Sequence, residues 1–236
     1  MDEEKKSHEE LIEALNNDEA RANYKNSCDN ERVSLLPKLL GGLLIWAGNT
    51  LYGKKPSYLK FRAVEIIARV PYHSWAAVAH TLLTLFYWDE KRALTLCEDN
   101  NFARLSQENE TMHVIVISKL TREENARGNV LVHSIIPMLF AFFYYWSSYL
   151  LYLVNQKWSL QLNYLFEDHA YHQYDQFLKE QGDVLKTKLV SSDFLLWYGR
   201  DPLSQYEFFQ SVRNDELIHR NKSIKYSRGD ATLQGA

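Results

Sequence analysis

Two Glu-x-x-His pairs, Glu110–His113 and Glu216–His219, most constrain what this chain can fold into. A helix places residues three apart on one face, so each pair can direct a carboxylate and an imidazole at one point. Two further glutamates, Glu65 and Glu167, complete a series of four, separated by 45, 57 and 49 residues. Antiparallel helices of about 20–30 residues with short loops return to the same depth at such intervals. The sequence therefore predicts that these side chains meet inside a bundle.

This set of side chains is typical of one kind of metal site. A Glu from each of two helices and a Glu-x-x-His from each of two others form the ligand set of di-iron carboxylate bundles. We therefore expect an all-α, ferritin-like four-helix bundle with a di-iron carboxylate centre of two Fe ions. Spacing alone leaves an alternative open, in which both Glu/His pairs are exposed on unrelated helix faces.

The rest of the chain favours helices throughout. It has only 5 Pro and 9 Gly, and its long apolar stretches do not alternate as strands do. We expect a polar, mobile helix at 8–24 and a kink at Pro71. The six major helices are predicted at residues 34–52, 58–88, 90–121, 129–154, 158–186 and 203–225.

Composition restricts the partners and the compartment. The net charge of -3 and the lack of a basic stripe argue against nucleic acid as a partner. The acidic N-terminus has no apolar segment, so we expect neither a secretory signal nor a transit peptide, and interpret Met1 as a native bacterial-type start. Two cysteines are too few for a disulfide framework, which favours a reducing compartment. Cys28 lies in a polar stretch and is expected to be exposed, whereas Cys97 follows an apolar run and is expected to be buried.

The apolar segment 135–154 is long enough to cross a bilayer. A span there would place Glu65 and Glu110 on one side and Glu167 and Glu216 on the other, so they could not share metals. The metal hypothesis therefore requires this segment to lie in the membrane interface or against the bundle. Segment 34–52 could lie beside it, giving two apolar membrane-interface helices whose Tyr and Trp suit lipid headgroups. A buried core helix of a soluble protein and a true span remain alternatives.

Four sequence blocks carry a resemblance to a known family. They are VEIIARVP around Glu65, ENETMH around Glu110, YLFEDHAYHQY around Glu167 and VRNDELIHR around Glu216. In this order and spacing they resemble the alternative oxidases, which are membrane-bound di-iron quinol oxidases. The match covers roughly 34–226 and implies a di-iron oxidase domain there. It leaves a polar N-terminal arm at 1–33 and a C-terminal tail at 227–236.

The resemblance implies roles for individual residues. Tyr174, two helical turns after Glu167, would be the catalytic redox or proton partner. Asn109 and Asp215 adjoin ligands and could orient the histidines, and Trp197 falls where the family has a tryptophan near the centre. The implied metal ligands are Glu65, Glu110, His113, Glu167, Glu216 and His219. The implied substrate-binding positions are Lys60, Val64, Phe166, His169, Ala170 and Gln173.

The resemblance also implies a reaction and a location. The reaction would be oxidation of ubiquinol with reduction of O2 to water in a respiratory chain, without proton pumping and with resistance to cyanide. The implied form is a homodimer on one leaflet, monotopic on the cytoplasmic face of the bacterial inner membrane. Asp168, His169 and Gln173 depart from the family pattern, so the metal centre is better supported than the quinol.

Two other functions remain open. One is a di-iron hydroxylase acting on a quinone or lipid, and the other is a non-catalytic membrane-surface protein. His169 and His172 flank Glu167 and are three residues apart. They could reach the iron or tune protons near the quinone, or they could be partly exposed histidines on the bundle face.

Overall fold

The computed structural model describes residues 3–29 and 31–229 and confirms the all-α fold. Within these residues no strand forms, and the only β pairing is a single antiparallel bridge between Leu189 and Ser204. Most of the predicted tail at 227–236 lies outside the described residues. The helices are α1 Glu3–Ala14, α2 Asp18–Asn26, α3 Leu35–Tyr52, α4 Tyr58–Ala68, α5 Val70–Leu85, α6 Glu90–Glu123, α7 Ile136–Val154, α8 Gln156–Lys186, α9 Asp193–Tyr198 and α10 Gln205–Arg228.

The bundle consists of α6, α8, α10 and the broken pair α4–α5, and α8 packs against α10 along much of its length. Side-chain caps fix where these helices begin. Asp89 accepts a hydrogen bond from the Arg92 backbone N–H at 3.1 Å, and Asn155 and Ser204 cap α8 and α10 in the same way. The caps fix where each helix begins, whereas the spacing of its apolar and ligand-bearing positions decides which face meets the core.

The predicted long helix at 58–88 is two helices. α4 ends at Ala68 and α5 begins at Val70, so that Pro71 lies in the first turn of α5. Proline lacks the N–H that an interior helical position must donate, whereas a first turn does not need it. The chain therefore breaks just before Pro71 rather than kinking there.

The N-terminal segment is folded onto the bundle. Instead of one helix at 8–24 it forms α1 and α2, because Asn17 caps α2 by accepting from the Glu19 and Ala20 backbone N–H groups. Ile12 of α1 and Leu15, which follows the end of α1, are buried against α8 and α10 side chains. This part of the chain is polar in composition but contributes its few apolar side chains to the core.

Both cysteine expectations were wrong. Cys28 is buried against Tyr164 and Ile224 because the N-terminal segment covers it, whereas Cys97 is exposed on the outer face of α6. A polar neighbourhood in sequence did not reveal that α2 packs on the bundle. Likewise, the apolar run that precedes Cys97 did not reveal which way its side chain faces.

The two apolar helices α3 and α7 lie outside the bundle, α3 against α8 and α7 against α4, α5 and α8. The stretch 131–154, a turn of π-helix followed by α7, is long and apolar enough to cross a membrane, yet only 11% of its apolar window is buried. A fully buried core helix is therefore excluded. The exposed large apolar side chains on these helices are Leu35, Leu36, Leu39, Leu43, Trp46, Leu51, Met138, Leu139, Phe140, Phe142, Phe143, Trp146, Leu150, Leu153 and Val154.

Candidate metal centre

Four helices bring the six predicted metal ligands to one place. α4 carries Glu65, α6 carries Glu110 and His113, α8 carries Glu167, and α10 carries Glu216 and His219. All six side chains are buried, with at most 3% of any of them exposed. The apolar segment α7 therefore does not separate them, as a membrane span would have done.

The six residues form two overlapping groups. One group is Glu65, Glu110, His113 and Glu216, and the other is Glu110, Glu167, Glu216 and His219. Within each group, one ligand atom per residue lies within 4.8 Å of the others. Glu110 and Glu216 belong to both groups. Two neighbouring cations would be held by these two groups, with Glu110 and Glu216 available to both and one further glutamate and one histidine for each.

The unpartnered polar atoms at the centre fit bound cations. Both carboxylate oxygens of Glu110 and of Glu216 are buried without a hydrogen-bond partner, as are Glu65 Oε2, His113 Nδ1 and both ring nitrogens of His219. Buried polar atoms are almost always paired, so such a concentration needs a cause. His219 Nδ1 lies 2.9 Å from Glu110 Oε1 but without hydrogen-bond geometry. Carboxylate oxygen and imidazole nitrogen suit iron, so these residues fit the two Fe ions.

The electrostatics of the cluster agree with this fit. Burial, together with the neighbouring carboxylates Glu110 and Glu167, raises the pKa of Glu216 well above its usual value. Burial lowers the pKa of His113, but the surrounding carboxylates, Glu110 first, outweigh it and hold that pKa well above the usual range. In the absence of metal, protons would therefore neutralise part of the cluster. Cations would displace those protons on binding.

Asp215 orients His113. The His113 ring donates from Nε2 to Asp215 Oδ2 at 2.9 Å, which leaves Nδ1 facing the carboxylates at 3.5–3.6 Å. Asp215 is fully buried, and burial would raise its pKa. The guanidinium of Arg200 and hydrogen bonds from Arg200, His113 and His8 reverse that effect and hold the pKa well below its usual range. An ionised acceptor fixes the tautomer that leaves Nδ1 free to bind a metal.

His8 is a residue that the sequence reasoning missed. It lies on α1, and its Nε2 is 2.8 Å from Asp215 Oδ1. Burial lowers the pKa of His8 to about 4, so the ring is neutral and donates its Nε2–H to the carboxylate. Nothing in the sequence signals this contact, because it joins residues 207 positions apart.

Two tyrosines donate hydrogen bonds to the two glutamates that lie outside the Glu-x-x-His pairs. The Tyr174 hydroxyl donates to Glu65, and the Tyr72 hydroxyl donates to Glu167 Oε1 at 2.7 Å. Asn163 also donates to Glu167 Oε1, at 3.0 Å. Tyr72 was missed, although a signal existed, since it follows Glu65 by seven residues as Tyr174 follows Glu167.

The structure does not bring Trp197 to the centre. Its side chain is 74% exposed and its ring lies against Phe194, so the expected place near the metal ligands is not supported. The next residue, Tyr198, points inward instead and accepts a hydrogen bond at its hydroxyl from Asn109 at 3.2 Å. α9 ends at Tyr198, and its short amphipathic turn directs the tyrosine inward and the tryptophan outward.

An apolar cavity of about 240 Å³ reaches the cluster. Residues of α3 and α7 form its outer walls, and its inner end is lined by Glu65, Glu167, Glu216 and Tyr174. All six residues expected to bind substrate line this cavity, namely Lys60, Val64, Phe166, His169, Ala170 and Gln173.

Lys60 is the buried cation of this cavity. Its Nζ donates to Asn49 Oδ1 at 2.9 Å, to Gly53 O at 2.8 Å and to Gln173 Oε1 at 2.7 Å. Burial lowers the pKa of Lys60 to about 8 and also lowers that of His169, a second lining residue. His172 instead has 54% of its side chain exposed and lies 3.9 Å from Asp168, so only His169 of this pair faces the cavity.

Shared and unshared ligands should behave differently when removed. Glu110→Gln removes a carboxylate common to both groups, so both positions should fail and iron should fall well below one per chain. Glu65→Gln removes a ligand of one group only, so about one iron per chain should remain, because the other group keeps its full set. The measurement is the iron-to-protein ratio after loading and desalting.

The Glu65→Gln apo-protein should unfold at no lower temperature than the wild-type apo-protein, because burial and the neighbouring Glu110 charge raise the pKa of Glu65 and disfavour its charged form. The Glu110→Gln apo-protein should unfold at a lower temperature, because burial raises the pKa of Glu110 but His113 and His219 outweigh that effect and lower it, so its charge is favourable in the folded chain. Equal iron loss in both variants would contradict the assignment of Glu110 as a shared ligand.

Comparison with known proteins agrees with this geometry. The family model for alternative oxidase matches residues 39–227, which includes all six ligands and the cavity residues. A similar protein is "Ubiquinol oxidase 4, chloroplastic/chromoplastic" of Arabidopsis thaliana, which is 29% identical over 165 residues. That alignment covers 70% of this chain but 44% of the plant protein, so the chain spans less than half the length of that relative. With most of its length matched by the family model, the chain belongs to the alternative oxidase family.

Proposed function

We propose that this protein is a quinol oxidase, transferring electrons from ubiquinol or a related quinol to O2. The observation that carries the proposal is the apolar cavity, which runs between α3 and α7 and ends at Tyr174 and three of the cluster carboxylates. Two quinol molecules each lose two electrons and two protons, and one O2 takes up all four of each to form two water molecules. The iron ions, when bound, would accept the electrons and supply the site of oxygen reduction.

The cavity residues divide into two roles. The lining of α3 and α7 side chains, such as Leu44, Ile136 and Phe140, suits the ring face and isoprenoid chain of a quinol. Lys60 and Gln173, joined by a hydrogen bond, are polar groups that can bind the ring oxygens. A wall that is mostly apolar can bind the apolar part of a ligand, and a few polar groups at defined positions fix the orientation of its ring.

Tyr174 lies between the cavity and the metal ligands. It lines the cavity, donates its hydroxyl hydrogen to Glu65, and stacks on Phe61 with ring centroids 4.1 Å apart. Burial and the Glu65 charge raise its pKa well above the usual value, so the phenol keeps its proton. A neutral phenol hydrogen-bonded to a ligand carboxylate is suited to pass a proton between substrate and cluster.

The proposal includes attachment to one membrane leaflet. The exposed side chains of α3 and α7, among them Trp46, Phe142 and Phe143, form an apolar face of the kind that marks a lipid or partner contact. Because the cavity lies between the same two helices, a quinol dissolved in the bilayer could enter without crossing water. We extend the proposal to a homodimer on the cytoplasmic face of the bacterial inner membrane, to be tested by crosslinking and by protease access.

The main test is oxygen uptake by the iron-loaded protein with a short-chain quinol in the presence of cyanide. We expect uptake that releases no hydrogen peroxide, with one O2 consumed per two quinols, because water is the product. Glu110→Gln should abolish it, since the shared ligand is lost. Proton pumping should be absent in vesicles, as the resemblance to the family implies. Recovery of an oxygenated quinone or lipid would contradict the oxidase and support a hydroxylase.

The cavity assignment has its own test. Lys60→Met keeps the length of the side chain but removes the charged donor, so KM for quinol should rise by about tenfold, the effect of losing one charge-assisted hydrogen bond. Iron content should not change, because Lys60 contacts none of the six ligands in the described structure. Lys54→Met, whose side chain is exposed nearby, is the matched control and should leave KM unaltered. A fall in kcat at constant KM would argue against headgroup binding.

Membrane attachment is tested by flotation with neutral phosphatidylcholine vesicles. The double variant Phe142→Glu, Phe143→Glu places two charges on the exposed face of α7, where 61% and 65% of these side chains are accessible. It should leave most of the protein unbound, because charges are costly at the acyl boundary. Leu203→Glu, at a leucine 71% exposed outside α3 and α7, should float like the wild type. Equal loss in both would show that attachment does not use α7.

A further inference from the structure

We propose that His8, on the N-terminal helix α1, is a positioning residue for the metal ligand His113 and acts through Asp215. His8 lies outside residues 39–227, the part of the chain that matches the family model. The N-terminal segment would therefore complete the metal centre rather than merely precede it. The inference rests on the proposed iron centre but not on quinol as the substrate.

The contacts of Asp215 carry the argument. Its Oδ2 accepts from His113 Nε2 at 2.9 Å and from Arg200 Nη1 at 2.5 Å. Its Oδ1 accepts from Arg200 Nη2 at 2.9 Å and from His8 Nε2 at 2.8 Å. Each oxygen thus has two donors, and their directions fix the rotation of the carboxylate about its Cβ–Cγ bond.

His8 supplies one of the four restraints on that carboxylate. Without it, Oδ1 keeps only its contact with Arg200, and the carboxylate plane is free to turn towards the guanidinium. Oδ2 would then move relative to His113, whose Nε2 makes its hydrogen bond there. The tilt of the His113 ring, and hence the direction of Nδ1 at the metal position, follows the orientation of Asp215.

α1 does not need His8 in order to dock. Ile12 and Leu15 are buried in an apolar cluster with α8 and α10 side chains. Glu9 forms a two-point ion pair with Arg200, at 2.9 and 3.0 Å. A buried histidine directed at Asp215 is therefore not explained by attachment of the helix alone. It also means that His8 can be changed while α1 stays in place.

The experiment uses the full chain and three variants. His8→Ala removes the donor. His8→Gln keeps an N–H donor on a side chain of similar reach. Ile12→Ala weakens the packing of α1 without touching Asp215, and serves as the structural control. The readouts are Fe²⁺ affinity by competition with a chromophoric chelator, and the electron paramagnetic resonance spectrum of the half-reduced, iron-loaded protein.

We expect His8→Ala to weaken iron binding by about tenfold, in the range seen when a group that orients a metal-bound histidine is lost. The spectrum should also shift, and His8→Gln should restore most of both. Ile12→Ala should lower the unfolding temperature but leave affinity and spectrum unchanged. Unaltered affinity and spectrum in His8→Ala, or equal changes in His8→Ala and Ile12→Ala, would overturn the inference.

The outcome is separable from that for quinol oxidation. A wild-type protein that binds two irons but does not oxidise quinol refutes the proposed function, while the His8 comparison still supports or overturns the positioning role. A wild-type protein that binds no iron overturns both.

Discussion

The structure depends on the burial of four carboxylates at a single depth of the bundle. Glu65, Glu110, Glu167 and Glu216 are at most 3% exposed, and buried like charges repel strongly unless cations or protons neutralise them. The bundle therefore has to hold these side chains apart at fixed positions. Helix caps, tyrosine donors and the Asp215–Arg200 ion pair do this around the cluster. A preformed site of this kind needs little reorganisation when it binds metal, because its buried ligands cannot turn towards water.

The centre has an internal symmetry that its surroundings break. One half carries Glu65 and, seven residues later, Tyr72, and the other half carries Glu167 and, seven residues later, Tyr174. Each tyrosine donates a hydrogen bond to the glutamate of the other half. Tyr72 is enclosed, and its hydroxyl also accepts from Asn163 at 2.8 Å. Tyr174 instead lines the cavity. Both hydrogen bonds hold a metal-ligand glutamate in place. Only Tyr174 also lies against the cavity that a substrate can occupy.

The sequence predicted what periodicity and residue type determine. The fold class and the helices that bear the ligands followed from helical spacing and few breakers, and the six ligands followed from two Glu-x-x-His pairs and two lone glutamates. The burial of Cys28 and the contact of His8 with Asp215 did not follow, because each depends on how distant segments pack. The sequence located the disturbance at Pro71 but did not decide between a kink and a break. The expectation for Trp197 could not have been made more exact from the sequence, because on a short helix a difference of one residue decides whether Trp197 or Tyr198 faces the core.

The positions of α3 and α7 connect the chemistry to its surroundings. An apolar face of this size is unfavourable in water, so a chain that keeps it needs a lipid surface or a partner to cover it. The cavity is lined by residues of both helices and by Tyr174, with Lys60 as a buried cation in its wall. A water-soluble reductant would gain nothing from such a route, whereas an amphipathic molecule with a long apolar chain would be oriented by it, ring first. The cavity therefore joins the apolar exterior of α3 and α7 to the buried centre. Such a connection favours the proposal of an electron donor dissolved in the membrane.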